Sequence, residues 1–209
     1  MAKELKKLTK NLFFQLAADS HKTVVKYWLD ENGMNKERSI ESLLFLVQSE
    51  LSESGDAARI EKPEFSMLVR ECKSTEHWKE IKDLTFPELA GCLLRIFDIF
   101  GASIAGRFIY AGYNTNGLQE HILPELLALE SKRMPKTKIK GKNEYELRES
   151  VLRFYFRLNC DICKATNEPK KLVRIVFKIW QYCLDQNCDI FNLITYADLA
   201  NKNRPAKIA

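Results

Sequence analysis

Apolar residues recur at helical spacing along most of the chain. The first set consists of leucines that lie three or four residues apart, which predicts one face of a helix: Leu5, Leu8, Leu12 and Leu16. The same spacing returns in the ranges 40–51, 147–162 and 173–184. Strict alternation of apolar and polar positions is rare, and only residues 191–195 favour a strand. The pattern therefore predicts an all-α fold, an irregular bundle of about seven or eight helices with little or no β-structure.

Local signals indicate where some helices begin and end. The run Thr85-Phe86-Pro87-Glu88 combines a capping residue with proline and an acid in the first turn, so it predicts a helix start. The helix that follows, 89–100, is apolar on several sides and is expected in the middle of the bundle. The range 52–62 opens with a polar run and is predicted to be a loop.

Composition fits an ordinary folded chain, because 45% of the 209 residues are hydrophobic and 29% are charged. The N-terminal residues lack the uninterrupted apolar core of a signal peptide. The richest apolar window, 89–110, contains Arg95, Asp98 and Arg107, which argues against a membrane span. Six cysteines in such a chain are expected to be reduced thiols. These features predict a cytoplasmic protein with no membrane partner.

Charge is distributed unevenly along the chain. Residues 132–209 hold 17 Lys and Arg against 8 Asp and Glu, a net charge of +9, whereas residues 1–131 hold 16 against 20, a net charge of −4. Six of these bases fall within residues 132–142, where Pro135 and Gly141 favour a loop. We therefore divide the chain into an acidic helical bundle (1–131), a basic linker or loop (132–142) and a basic helical region (143–209), which could also form one compact domain.

A polyanion is the natural partner of the basic third, because each neutralised phosphate releases condensed counterions. Tyr145, Phe154 and Tyr155 lie near two of the arginines, so stacking on unpaired bases is conceivable. An acidic protein partner, or a plain solvated surface, would explain the same charges. The candidate nucleic-acid-binding residues are Lys132, Arg133, Lys136, Lys138, Lys140, Lys142, Arg153, Arg157, Lys171, Arg174 and Lys178.

Four cysteines have a spacing that a structural zinc site could use: Cys160, Cys163, Cys183 and Cys188. Both pairs lie at or beside strongly periodic helices, where cysteine commonly fills core positions as a small apolar residue. The packing interpretation is therefore preferred, and no metal site is favoured.

Common catalytic and cofactor motifs are absent, since the chain has no G-x-S-x-G, Walker A, G-x-G-x-x-G or H-E-x-x-H sequence. No cofactor is expected. Arg70 and His77 are separated by six residues, and this resembles the R-x(4–6)-H signature of HEPN-type ribonucleases, which are small helical domains. The resemblance implies that Arg70 would stabilise phosphate charge and that His77 would act on the 2′-hydroxyl or the leaving oxygen, without a metal ion. In that family an Asn commonly follows the Arg, whereas Glu71 stands here.

Together these features favour a non-catalytic subunit of an intracellular nucleic-acid-handling complex. The basic third would contact phosphates, and the acidic bundle would dock on a protein partner. Two alternatives stay open, the ribonuclease that uses Arg70 and His77 and an adaptor that binds an acidic protein alone.

Overall fold

A computed structural model describes residues 5–59, 75–132 and 137–203. These ranges contain seven α-helices and no strand, which confirms the all-α prediction. A short 3₁₀ turn, Val25–Tyr27, follows the first helix. The helices are α1 (Lys10–Val24), α2 (Ile40–Arg59), α3 (Thr75–Ile104), α4 (Thr115–Ser131), α5 (Glu144–Cys163), α6 (Pro169–Asp185) and α7 (Ile190–Asn203).

Helix α3 forms the centre of the bundle and packs against α1, α2, α4, α6 and α7. From Leu89 to Phe100 every residue is buried except Gly91, Arg95 and Asp98. The predicted central position of this segment is therefore confirmed. On the α1 side, the ring of Phe13 meets the edges of Phe97 and Phe100 at centroid distances of 5.4 and 5.2 Å.

Helices from the acidic and the basic parts of the sequence share one continuous apolar core. Helix α2 packs against α5, α4 against α6, and α1 against α7. Two buried polar groups add long-range hydrogen bonds: the Tyr110 hydroxyl donates to the Ala165 carbonyl at 2.8 Å, and Trp180 Nε1 donates to the Lys6 carbonyl at 2.9 Å. The helices on both sides of residues 132–142 thus stabilise each other.

Four local predictions were wrong. Leu5 and Leu8 do not lie on a helix with Leu12 and Leu16, because α1 begins only at Lys10, after the N-cap Thr9. Residues 52–59 continue α2 instead of forming a loop, because Leu51 and Ser54 are buried and the polar positions between them face solvent. Thr85 does not start a helix but is buried inside α3, where Pro87 is exposed. Residues 191–195 are helical, since Asp189 caps α7 and packing outweighs their strand propensity.

Helices α1 and α3 approach most closely at Gly101. A Cβ atom placed there would lie 2.1 Å from the carbonyl oxygen of Ala17 and 2.6 Å from the Cβ atom of His21. Neither the backbone of α1 nor the root of a buried side chain can rotate away. Only glycine therefore permits this contact.

We predict that Gly101→Ala lowers the free energy of unfolding by about 1–3 kcal/mol, because α1 must move away from α3. Gly55→Ala is the matched control: Gly55 also lies within a helix, and nothing surrounds its missing Cβ within 4 Å. That change should be neutral or stabilise the fold by up to about 1 kcal/mol. Urea unfolding followed by circular dichroism measures both, and equal effects at the two glycines would contradict the packing argument.

Candidate functional site

Residues 137–143, here called the basic strap, lie against the first turns of α5. The Lys140 amide donates to Ser150 Oγ at 3.1 Å, and the Lys142 amide donates to Glu146 Oε2 at 2.6 Å. Ile139 packs against the core from this segment. A Cβ atom at Gly141 would lie 2.4 Å from the Leu147 amide nitrogen, so this contact requires glycine. The predicted loop is thus attached to the helix that follows it.

The strap presents Lys138, Lys140 and Lys142 to solvent, while Ile139 faces inward. None of these three lysines forms an ion pair with another residue that the structure describes. An external anion that binds them therefore breaks no ion pair between described residues. Because hydrogen bonds hold the strap backbone on α5, an anion that binds here need not order the main chain first.

The outer face of α5 continues this cationic surface. Arg153 and Arg157 lie three and seven residues after Ser150, so they share the side of the helix on which the strap rests. Arg157 is exposed and has no ion pair within the described ranges, whereas Arg153 donates to Glu149 at 2.8 Å. That pair is exposed on both sides and is worth little in water.

Two large aromatic side chains of α5 are exposed to solvent. Tyr145 is 67% exposed and Phe156 is 70% exposed. The guanidinium of Arg148 lies 5.7 Å from the centre of the Tyr145 ring. The other two aromatic residues that the sequence suggested for stacking are unsuitable, because Tyr155 is buried and Phe154 packs on Tyr182 at 4.7 Å.

The predicted bases of α6 are instead paired with acids of neighbouring elements. Arg174 donates twice to Glu125 of α4, at 2.6 and 3.0 Å. Lys178 donates to Asp161 of α5 at 2.6 Å, and Lys171 donates to Glu168 at 2.5 Å. These bonds compensate the charges of the bases locally. The bases of α6 are therefore less available to phosphate than the sequence predicted.

Of the remaining predicted bases, the structure describes only Lys132. Lys132 is exposed directly after α4, at the rim of a cleft of about 910 Å³ that α4 and α6 share with residues 5–9. Arg133 and Lys136 lie outside the described residues.

Of the two residues of the ribonuclease hypothesis, Arg70 also lies outside the described residues. His77 falls in the first turn of α3. The proposed roles of Arg70 and His77 stay predictions.

No protein-family model, no curated protein and no solved structure matches this chain.

The four cysteines of the possible zinc site are not brought together. Within the described residues, the ligand atoms of Cys160, Cys163, Cys183 and Cys188 do not form a metal-sized cluster. Burial, followed by a hydrogen bond with Cys188, raises the pKa of the Cys183 thiol. Gln48 Nε2 donates to Cys163 Sγ at 2.9 Å, which joins α2 to α5.

A group of carboxylates that sequence analysis did not single out meets between α2 and α3. Oxygens of Glu50, Glu53 and Glu88 lie within 4.8 Å of one another, the one such cluster in the described ranges. Partial burial and then the charges of Glu53 and Glu50 raise the pKa of Glu88. Arg95 Nε donates to Glu50 at 3.0 Å and supplies a compensating positive charge.

Sequence analysis also missed a buried polar group around Asp98. His21 Nδ1 lies 2.8 Å from Asp98 Oδ1, and Trp28 Nε1 donates to both carboxylate oxygens at 3.1 and 3.0 Å. The signal that could have revealed it is an aspartate in the middle of an apolar helix. A buried carboxylate requires donors from neighbouring elements, and α1 and the following turn provide them.

Within the described ranges no helix combines the length and the apolar content needed to span a bilayer.

We predict that Glu125→Gln lowers the free energy of unfolding by up to about 1 kcal/mol at neutral pH, a modest value because Arg174 is half exposed. The hydrogen bond from Arg174 lowers the pKa of Glu125 below its ordinary value. Its stabilisation is therefore present above about pH 4.3 and is lost as the pH falls through the lowered value. Urea unfolding at several pH values tests this, and a difference that stays constant into strong acid would contradict it.

Proposed function

We propose that this chain is a non-catalytic subunit of a cytoplasmic nucleic-acid-handling complex and that it binds the phosphate backbone through the basic strap and the outer face of α5. The observation that carries the proposal is the set of three exposed, unpaired lysines on a strap whose backbone is bonded to α5. Arg157 extends this charge along the helix. Cations that have no acidic partner gain most from a polyanion, because they lose no existing ion pair.

The surface suits contact with the backbone better than reading of a base sequence. Lysine is a flexible point charge that attracts phosphate from many directions. The strap is not a helix that could enter the major groove. Tyr145 and Phe156 offer flat faces on which unpaired bases can stack. Single-stranded nucleic acid is therefore the expected preference.

The same proposal assigns the acidic part of the chain to a protein partner. Phe45 of α2 is 69% exposed, and Met34 and Ile109 are similarly exposed in the acidic part. Large apolar side chains in water favour a protein contact when they lie close together. The five cysteines in the described ranges are free thiols, in agreement with a reducing compartment such as the cytoplasm.

The first test is titration of end-labelled single-stranded RNA, single-stranded DNA and duplex DNA at several salt concentrations, with each sample run on native and denaturing gels. We expect the triple variant Lys138→Glu, Lys140→Glu and Lys142→Glu to lose about tenfold or more in affinity at low salt. The slope of the logarithm of the association constant against the logarithm of the salt concentration should become less negative by about 2 for single strands, because three phosphate contacts are removed.

The matched control changes three exposed lysines of the acidic part by the same charge: Lys7→Glu, Lys22→Glu and Lys36→Glu. It should bind better than the strap variant. Equal losses in the two variants would show that net charge, and not the strap, determines binding. Shortened RNA on the denaturing gel would favour the ribonuclease that uses Arg70 and His77. Intact oligonucleotides with no shift at any salt concentration would favour the adaptor that binds only protein.

A second variant tests the stacking surface. We predict that Phe156→Ala weakens binding to single-stranded RNA by about 1–3 kcal/mol, because one base loses its aromatic partner, while duplex binding changes little. Phe45→Ala is the control, since Phe45 is equally exposed but lies on α2. Fluorescence anisotropy with labelled oligonucleotides measures both. Equal effects of Phe156→Ala on single strands and duplexes would contradict the stacking role.

A further inference from the structure

Helix α6 ends in a tight turn whose backbone hydrogen bonds are those of a Schellman motif. The Cys188 amide donates to the Cys183 carbonyl at 2.8 Å, and the Asn187 amide donates to the Leu184 carbonyl at 2.9 Å. Asn187 has a φ of 59°, the left-handed conformation that this motif adopts at the first residue beyond the cap. The turn therefore folds residue 188 back against residue 183 in the last turn of α6.

Both residues that this turn brings together are cysteines. In many Schellman motifs an apolar contact joins the side chains at these two positions. Cys183 is fully buried, whereas Cys188 is partly exposed and packs against the core. The Cys183 thiol forms a hydrogen bond with the Cys188 side chain, so the two sulfur atoms face each other. Both cysteines are free thiols in this structure.

The backbone hydrogen bond also limits the distance between the two Cα atoms. A carbonyl oxygen lies about 2.4 Å from its own Cα atom, and an amide nitrogen lies about 1.5 Å from its own. With 2.8 Å between the Cys183 oxygen and the Cys188 nitrogen, the two Cα atoms lie at most about 6.7 Å apart. Disulfide bonds usually join Cα atoms that are about 4.4–6.8 Å apart. The turn thus holds the two thiols close enough for a disulfide bond.

We propose that Cys183 and Cys188 are a site of reversible oxidation and form a disulfide with each other when the protein meets a small-molecule disulfide such as oxidised glutathione. The bond covalently closes the turn that leads from α6 to α7, immediately before Asp189, which caps α7. The site lies outside the basic strap and α5, so it does not depend on the proposed nucleic-acid function.

The exposure of the two thiols determines the order of the steps. Solvent reaches Cys188, which loses its proton to water, and its sulfur attacks one sulfur of the oxidant. The S–S bond of the oxidant breaks, and its other sulfur leaves as a thiolate. Cys183 then loses its proton, and its sulfur attacks the Cys188 sulfur and displaces the second thiolate. The two protons and two electrons that the protein loses are recovered in the two thiols formed from the oxidant.

Burial raises the pKa of the Cys183 thiol, so little of it is thiolate at neutral pH. Its attack on Cys188 is therefore expected to be the slower of the two steps. For the same reason, the buried thiol is not the one that an oxidant in solution modifies first.

The experiment equilibrates the full chain with mixtures of reduced and oxidised glutathione, alkylates the remaining free thiols and maps the cysteines by mass spectrometry of tryptic peptides. Trypsin leaves Cys183 and Cys188 together in the peptide 179–202, and Cys160 and Cys163 together in the peptide 158–164. We expect the peptide 179–202 to escape alkylation and to be lighter than its reduced form by two hydrogen atoms. Alkylation of both of its cysteines at every glutathione ratio, or a disulfide in 158–164 in its place, would overturn the proposal.

The same mixtures in urea separate the contribution of the fold from that of a short loop. The equilibrium constant for disulfide formation against glutathione should be at least about tenfold larger in the folded chain, because the turn already holds the two thiols together. An equal or smaller constant in the folded chain would show that the turn strains the bond, and it would overturn the proposal.

Two single variants test the order of attack, and circular dichroism verifies that each is folded. Cys183→Ser should accumulate a mixed disulfide with glutathione at Cys188, because the second thiol is missing. Cys188→Ser should leave Cys183 unmodified over the same time, because Cys183 is buried. Cys163→Ser removes an exposed cysteine of α5 and is the control, in which the disulfide in 179–202 should form as in the wild type. Glutathione on Cys183 of Cys188→Ser as fast as on Cys188 of Cys183→Ser would contradict the assigned order.

Discussion

The burial of α3 is the interaction on which the rest of this structure depends. Five other helices in the described ranges pack against it, and the apolar area it removes from water is the largest stabilising contribution a bundle of this size can draw on. Gly101 permits α1 to approach it to backbone contact. That approach also brings His21 to Asp98, so the packing of two helices creates this hydrogen-bonded pair.

The charges of the basic third follow from how its helices pack. Helix α6 lies in the bundle beside acids of α4 and α5, and its bases pair with them. The strap lies against α5, and its lysine side chains form no ion pair with another residue that the structure describes. Lysine and arginine side chains therefore have different surroundings on α6 and on the strap. On α6, Arg174 pairs with Glu125 of the acidic part and Lys178 pairs with Asp161 of the basic part, whereas the strap lysines remain available to an external anion.

Much of the fold follows from the spacing of apolar residues. The central position of 89–100 was predictable because no face of that helix is polar enough for solvent. The predicted helix start at Thr85 was wrong because capping signals are local, and the burial of Thr85 inside α3 depends on partners that the local sequence does not reveal. Residues 191–195 were misread for the same reason, since Ile190 and Ile194 face the core only once α7 packs on α3 and α1.

The candidate sites likewise depend partly on local sequence and partly on contacts between distant segments. The sequence alone determined the all-α class and the basic character of residues 132–142, because both depend only on residue type and spacing. Only the tertiary structure decided which bases are paired, that Phe156 and not Tyr155 is exposed, and that His21 meets Asp98 across 77 positions of sequence. Pairing and burial are properties of contacts between distant segments. They therefore follow from the packing of whole helices and not from any single stretch of the chain.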